Sequence, residues 1–440
     1  MKFQYIFLTF FGVMAVVAVI VFSKAPGGGS NTPTNVRGTV TIWGTYPNEG
    51  MDKVISGVNE QFKDSVTVKY DYHDPKDFDH DIVEALASGR GPDVLLLPDD
   101  LVLRHSDKIE PIPYTPGGIT PAWLQNTFIQ AAEIYTRDNG LIAVPFAVDP
   151  MVMYWNRDIF SNASITEPPK YWDEFLTLAP TLTKKDPKTF NITQSAISFG
   201  EFENVDHAKD ILAMLFLQVG NPIVKLGPGG KPLASLMSGD AGHLVPSEDV
   251  VSAFRFFMDF SNPLKDIYTW NRSRSNSLNE FINGNLAVHF DYASAYKTIS
   301  EKNPHLNFAV AQVPIPRGTS AEITFAKVYG LTILKSSPNK PTAVFVVQQL
   351  LGSTPSGQFA QSFTLPPVRR DLLSQKPTDA AQTVFYDAAI RARTWLDPKP
   401  ELSNDAFQSA VESVSSGRYP VGQAIGGLQT QLSAALQPYQ

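Results

Sequence analysis

The chain has no cysteine among its 440 residues, which excludes disulfides, thiolate metal sites, cysteine nucleophiles and thioether-linked lipid. Surplus charge is also small. Lys and Arg number 36 against 43 Asp and Glu, leaving a net charge of -7, and no block of basic residues could neutralise a row of phosphates, so nucleic acid is not a partner. The catalytic and nucleotide signatures G-x-S-x-G, H-E-x-x-H, G-x-x-x-x-G-K-[ST] and G-x-G-x-x-G are all missing; GPGG at Gly227–Gly230 lacks the strand before and helix after that a phosphate loop needs. No internal repeat is visible. The one His- and Asp-rich stretch, YHDPKDFDHD (Tyr72–Asp81), has Pro75 between His73 and His80, so the two imidazoles share no helix face. It reads as a solvated acidic loop, and neither a metal nor a cofactor is expected.

What the chain does have is enough apolar material to fold. A hydrophobic content of 43% with 18% charged residues rules out wholesale disorder, and the length gives two to three domains at roughly 150 residues each. From Tyr5 to Phe22 the sequence carries no charge, and Lys2 and Lys24 bracket it. That run sits at the short end of a membrane-spanning helix and is longer than the apolar core of a cleaved export signal, which remains the alternative. An APGGGSNTPTN stretch follows and reads as a flexible spacer. The expectation is a membrane anchor or signal over 1–24, a spacer over 25–37, and a large domain held outside the cytoplasm.

Beyond the spacer, strand and helix patterns alternate. GTVTIW (Gly38–Trp43) and SVTVKYDY (Ser65–Tyr72) alternate polar and apolar residues, DVLLL (Asp93–Leu97) is a continuous apolar run, and helical spacing occupies 49–63 and 77–88. Such alternation predicts α/β units around a mainly parallel sheet. Further strands are expected over 141–148, 151–155, 286–290, 308–313 and 328–334. Helices are expected over 171–182, 207–219, 249–260, 277–282 and 341–351, and across much of 378–436.

Taken in order, several segments resemble the extracellular solute-binding proteins of ABC importers, family 1, the maltose-binding type. They are GRGPDVLLLPDD (Gly89–Asp100), LIAVPFAVDPMVMYWNRDIF with EPPKYWDEF (Leu141–Phe175), NEFINGNLAVHFDYASA (Asn279–Ala295), FAVAQVPIP (Phe308–Pro316) and FTLPPVRRD (Phe363–Asp371). The resemblance spans about residues 38 to 440, with one departure: bacterial members commonly carry a lipobox cysteine, and here the hydrophobic run would supply the tether. It implies a two-lobe, type II periplasmic-binding-protein-like α/β fold with three crossovers, near 144–150, 287–292 and 324–329. Lobe one would take 38–146 and 292–326, and lobe two 150–288 and 329–440. It further implies a monomer that captures a sugar or oligosaccharide between its lobes and delivers it to ABC permease subunits. A sensory ectodomain and a surface-anchored carbohydrate enzyme are the alternatives.

Ligands of open α/β sheets sit beyond the carboxyl ends of strands. That rule selects Thr45 and Tyr46 after the first strand and Asp99 and Asp100 after DVLLL, with only one of the two adjacent carboxylates able to face the ligand. The resemblance adds Asp149 at the first crossover, Asp291 and Tyr292 at the second, Tyr329 after the third, and Trp270 as a stacking ring; Glu201 is a facing acceptor at the end of AISFGE. Each has a plainer reading: a cap or hinge ion pair for Asp149, a solvated loop acid for Glu201, a core or rim ring for the aromatics. Arg369 and Arg370 follow the PPV turn, from which one of them could reach the cleft.

Overall fold

A computed structural model describes residues 36–115, 118–239, 245–319 and 321–440. The expected anchor and spacer lie outside the described residues, and among the described residues no helix is long and apolar enough to cross a membrane.

The principal strands are β1 (Gly38–Gly44), β2 (Val66–Tyr72), β3 (Val94–Pro98), β4 (Val144–Asn156), β5 (Ile192–Ile197), β6 (Leu286–Tyr292), β7 (Phe308–Ala311) and β8 (Thr324–Leu334). They join one mixed sheet in the order β2-β1-β3-β8-β4-β6-β5, with β7 added against β4. Parallel pairing links β1 to β2 and to β3, and β6 to β5; β8, β4 and β7 run antiparallel to their neighbours. This is the expected α/β class.

The two stretches read as separate strands on either side of Pro150 form one strand, β4, buried along its whole length. Its partners change at the proline. Val144–Pro150 pairs with β8, whereas Met151–Trp155 pairs with β6 and Met153–Asn156 with β7. A proline has no N–H to give a ladder, so a change of partner is where a buried strand tolerates it. β8 does the converse: Ala326–Leu331 lies on β4 while Tyr329–Ile333 pairs with β3. Two long strands thus run through both halves of the sheet.

The flanking helices sort the same way. In chain order they are α1 (Asn48–Gln61), α2 (Phe78–Ala87), α3 (Ala208–Gln218), α4 (Glu248–Asp259), α5 (Lys340–Leu350), α6 (Ser353–Phe363), α7 (Ala380–Arg391), α8 (Pro400–Ser415) and α9 (Val421–Leu436). α5 packs on β1, β8 and α1, and α6 on α1 and β4; α3, α4, α8 and α9 pack among themselves, and α7 lies across β4 and β7. This corrects the expected division in its third segment. Pairing puts 308–311 beside the second half of β4 and 329–334 beside β3, so these two stretches fall on the opposite sides from those expected, while α8 and α9 stay with α3 and α4. The reason is that β8 itself is the crossover strand.

The β8 backbone passes close to its neighbours at Gly330, beside the register shift after Tyr329. A Cβ there would lie 2.6 Å from the Ala143 Cβ and 3.0 Å from the Tyr135 ring, so only glycine fits.

Candidate functional site

A cavity of about 840 Å³ opens between the two halves. Asp100 comes to it from the first half and Lys327 from β8. The rest of its wall is the loop and helix start Phe202–Asp210, Asn276, and one face of α8.

Local sequence explains each position. Asp99 and Asp100 open a short helix, Asp99–Val102, directly after β3, where carboxylates complement the helix dipole. On β8, Ala326 and Val328 point into the core while Lys327 and Tyr329 alternate outward. α8 begins with Pro400 and buries Ser403, Ala406, Phe407, Ala410 and Val411; the opposite stripe, Glu401, Asn404, Asp405 and Gln408, therefore faces the cavity. His207 precedes α3 in the left-handed region, φ 57° and ψ 29°, a conformation that costs a non-glycine residue of order 1–3 kcal/mol and is held here by its partners.

Those partners form a connected charge network behind the wall. His207 Nε2 lies 3.0 Å from Asp291 Oδ1, and His289 Nε2 lies 3.2 Å from Asp291 Oδ2. The Tyr292 hydroxyl donates to Asp210 Oδ2 at 2.6 Å, its ring packs edge-on against His207, and the Lys327 ammonium sits 5.1 Å from that ring's centre. Lys209 Nζ donates to Asp397 Oδ2 at 2.9 Å and to Ser403 Oγ at 3.1 Å, and Ser403 in turn donates to Asp397.

Burial and charge set the protonation. Burial pushes the Asp99 carboxyl up to about 8, with the Asp100 charge adding to it; burial raises Asp149 to about 6 and lifts Asp100 as well. For Asp291, burial is outweighed by its two histidines, which hold it far below the usual carboxylate range. His207 is the mirror case: burial alone would lower it, and Asp291 with Asp210 raises it. Burial would likewise lower Lys209 and Lys327, and the surrounding carboxylates hold both above the ordinary lysine value.

Of the ten residues singled out in the sequence, Asp100 lines the cavity. Asp99 is turned away, accepting from the Val328 amide at 3.0 Å and from the Thr394 hydroxyl; the two carboxylates diverge through a helical turn and not along an extended chain. Asp149 accepts from the Ser294 amide at 3.1 Å. Asp291 and Tyr292 stand directly behind His207 and Asp210. Tyr46 and Tyr329 pack edge-on at 5.0 Å beside Phe359 and Phe363, and Thr45 is half-buried on the loop after β1. Glu201 pairs with Arg272 at 2.9 Å. Arg369 and Arg370 bind backbone carbonyls of Leu351, Gln125 and Phe128 rather than the cavity.

Trp270 is a correction. Its side chain has no exposed surface, its indole N–H donates to Asn204 at 3.1 Å, and the Arg274 guanidinium lies against the ring. A loop tryptophan between two helices is here a core residue, so no ligand can stack on it. Trp270→Phe is expected to lower stability by about 1–2 kcal/mol, through lost volume and an orphaned Asn204 oxygen. Saccharide affinity measured by calorimetry should not change; a loss of affinity at equal stability would restore the ring to the site.

Sequence reasoning missed Lys327, His207, Asp210 and the α8 stripe. Lys327 had a signal, being the lone charge in TFAKVYGLTIL, and the stripe had helical spacing. Asp210 had none, because α3 is apolar on nearly every other position.

Residues 53–382 match the family model described as bacterial extracellular solute-binding protein. A probable ABC transporter-binding protein of Deinococcus radiodurans is 24% identical over 323 residues, 71% of each chain. Among solved structures, the cyclic alpha-maltosyl-1,6-maltose binding protein of Arthrobacter globiformis superposes with a TM-score of 0.73 at 15% identity, covering 91% of this chain and 100% of that one. The sugar-binding protein MalE of Xanthomonas citri gives 0.71 at 18%, covering 91% and 98%. The GacH receptor of Streptomyces glaucescens gives 0.68 at 18%, covering 92% and 100%. At these identities the structural likeness is one of fold.

Proposed function

The chain belongs to the bacterial extracellular solute-binding proteins, and on that premise we propose that it is the substrate-binding component of an ABC importer, clamping a sugar or oligosaccharide between its halves. The observation that carries this reading is the cavity walled by Asp100 on one side, the Phe202–Asp210 segment and α8 on the other, and Lys327 on the strand that joins them. Its groups suit a polyhydroxylated solute: carboxylates and amide oxygens accept from hydroxyls, and ammonium and amide N–H groups donate to them.

Mechanistically, a solute that touches both walls interacts better with the closed form than with the open one. That difference in free energy biases the hinge toward closure. The closed protein then docks on permease subunits and releases its cargo, with no bond made or broken, so the protein acts as a binding protein and not as an enzyme. The apolar run Tyr5–Phe22 would tether it as a monomer at the outer face of the membrane. The residues proposed to contact solute are Asp100, His207, Asp210, Lys327 and the polar stripe of α8, with Asp99, Asp149, Asp291 and Tyr292 holding them in place.

A melting-temperature screen against mono- and oligosaccharides tests this. A saccharide present at a hundred times its Kd should stabilise the folded chain by about 2.7 kcal/mol by mass action, and its addition should shrink the radius of gyration seen by X-ray scattering. If no saccharide alters either quantity, the reading is wrong.

A further inference from the structure

The end of the second half that points away from the cavity exposes apolar side chains among lysines. β5 runs from the turn 184–191 toward the cavity wall at Phe202–Asp210, so the turn stands about 20 Å behind that wall, the length of a six-residue strand. Beside the turn is the loop 262–268. The Lys185 ammonium lies 5.0 Å from the centre of the Tyr268 ring, and the Thr183 hydroxyl donates to that of Thr269 at 2.6 Å. The two segments form one surface.

Each segment holds a large apolar side chain out in solvent. Leu264 is 92% exposed and Phe190 75%, the two highest values for large hydrophobic side chains among the described residues. Phe190 does so from the left-handed region, φ 57°, which a bulky residue rarely enters. Around them stand four exposed lysines, Lys184, Lys185, Lys188 and Lys265. Against these the segments carry Asp186 and Asp266. Asp186 is spent on its own turn, accepting from the Lys188 and Thr189 amides and the Thr189 hydroxyl, and Lys265 lies 3.7 Å from Asp259. The surface is therefore locally cationic on a chain whose net charge is -7.

Apolar tips ringed by ammonium groups match the headgroup level of an anionic bilayer, where ring and alkyl chain leave water and the lysines meet phosphate. A second copy of the chain would set lysine against lysine. A permease that takes the cargo would engage the cavity, at the other end of β5. The described part begins at Val36, and the spacer 25–37 extends at most about 45 Å, so a bilayer holding Tyr5–Phe22 is within reach of the folded body. Resting on the tether proposed above, we propose that Phe190 and Leu264, with Lys184, Lys185, Lys188 and Lys265, form a second membrane contact. It seats the second half on the anionic lipid surface to which the first half is held.

The full chain is mixed with vesicles of phosphatidylcholine alone or with about 30% phosphatidylglycerol, and flotation and amide exchange are followed on each. The chain should float with both through its apolar run. Exchange in 184–191 and 262–268 should be at least about threefold slower on the anionic vesicles than on the neutral ones, a difference that shrinks as salt screens the lysines. Phe190→Gly/Leu264→Ser, in which glycine suits the left-handed φ, and Lys184→Gln/Lys185→Gln/Lys188→Gln should each abolish the slowing at an unchanged melting temperature. Should either variant fail to fold, the lipid and salt dependence of the unmodified chain decides the matter. Flotation with anionic vesicles alone upholds this contact and removes the tether. Flotation with both and no slowing, or equal slowing on both, overturns the contact and leaves the tether, the former result giving the surface to a protein partner. Flotation with neither overturns both. None of these results bears on the saccharide reading, which the melting screen tests separately.

Discussion

Lys209→Met should lower the unfolding free energy by about 3–5 kcal/mol, because it leaves Asp397 as a buried carboxylate without its counter-charge. The pair is well enclosed, with side chains 12% and 2% exposed, and the same Asp397 oxygen that meets Lys209 also accepts from Ser403. The effect is a penalty for the stranded partner and not the worth of the pair. Removing both charges in Lys209→Met/Asp397→Leu should therefore recover most of the loss, since well-packed apolar residues often replace a buried pair without cost. Denaturant unfolding of the two variants checks this. A double variant as unstable as the single one would mean that Lys209 contributes through something other than Asp397.

The second large effect is a pH dependence centred on Asp99. Its folded-state carboxyl lies at about 8, above the ordinary value of 3.8, so the native protein holds a proton that the unfolded chain gives up. The stability linked to that proton is fully present below pH 3.8 and is lost as the pH rises through about 8. Asp99→Asn cannot ionise, and its amide can still accept from the Val328 N–H and donate to the Thr394 hydroxyl. The variant should therefore match the parent near the bottom of this window and exceed it by roughly 3–5 kcal/mol at its top. Guanidinium unfolding at about pH 5 and about pH 8 measures the difference. Parallel stability curves for the two proteins would show that Asp99 is ionised in the native state.

Much of the fold was legible because local signals and tertiary structure agree. The alternation in GTVTIW and SVTVKYDY, the run DVLLL and the amphipathic spacing of 49–63 each correspond to an element within a residue or two. The reading faltered where the physics is nonlocal. Pro150 looks like a strand break, yet the strand continues because the proline sits where its partner changes from β8 to β6. Lobe membership of 292–334 depended on which neighbour β8 chooses, and residue patterns carry no such information.

The site divides in the same way. Strand-end reasoning led to Asp99 and Asp100, and the resemblance led to Asp149 and the Asp291–Tyr292 pair, all within or next to the charge network. Trp270 was misplaced because a buried ring and a ligand-stacking ring look alike in sequence. His207 and Asp210 were invisible for a different reason: their role comes from Asp291 and Tyr292, some eighty residues further along the chain.

Hydrogen–deuterium exchange with and without the saccharide that gives the largest melting shift tests the clamp most directly. Bound sugar should slow exchange in residues 99–103, 202–210 and 400–408 together, because one molecule touches both walls. Protection confined to a single wall, or found only in segments away from this cavity, would contradict the account.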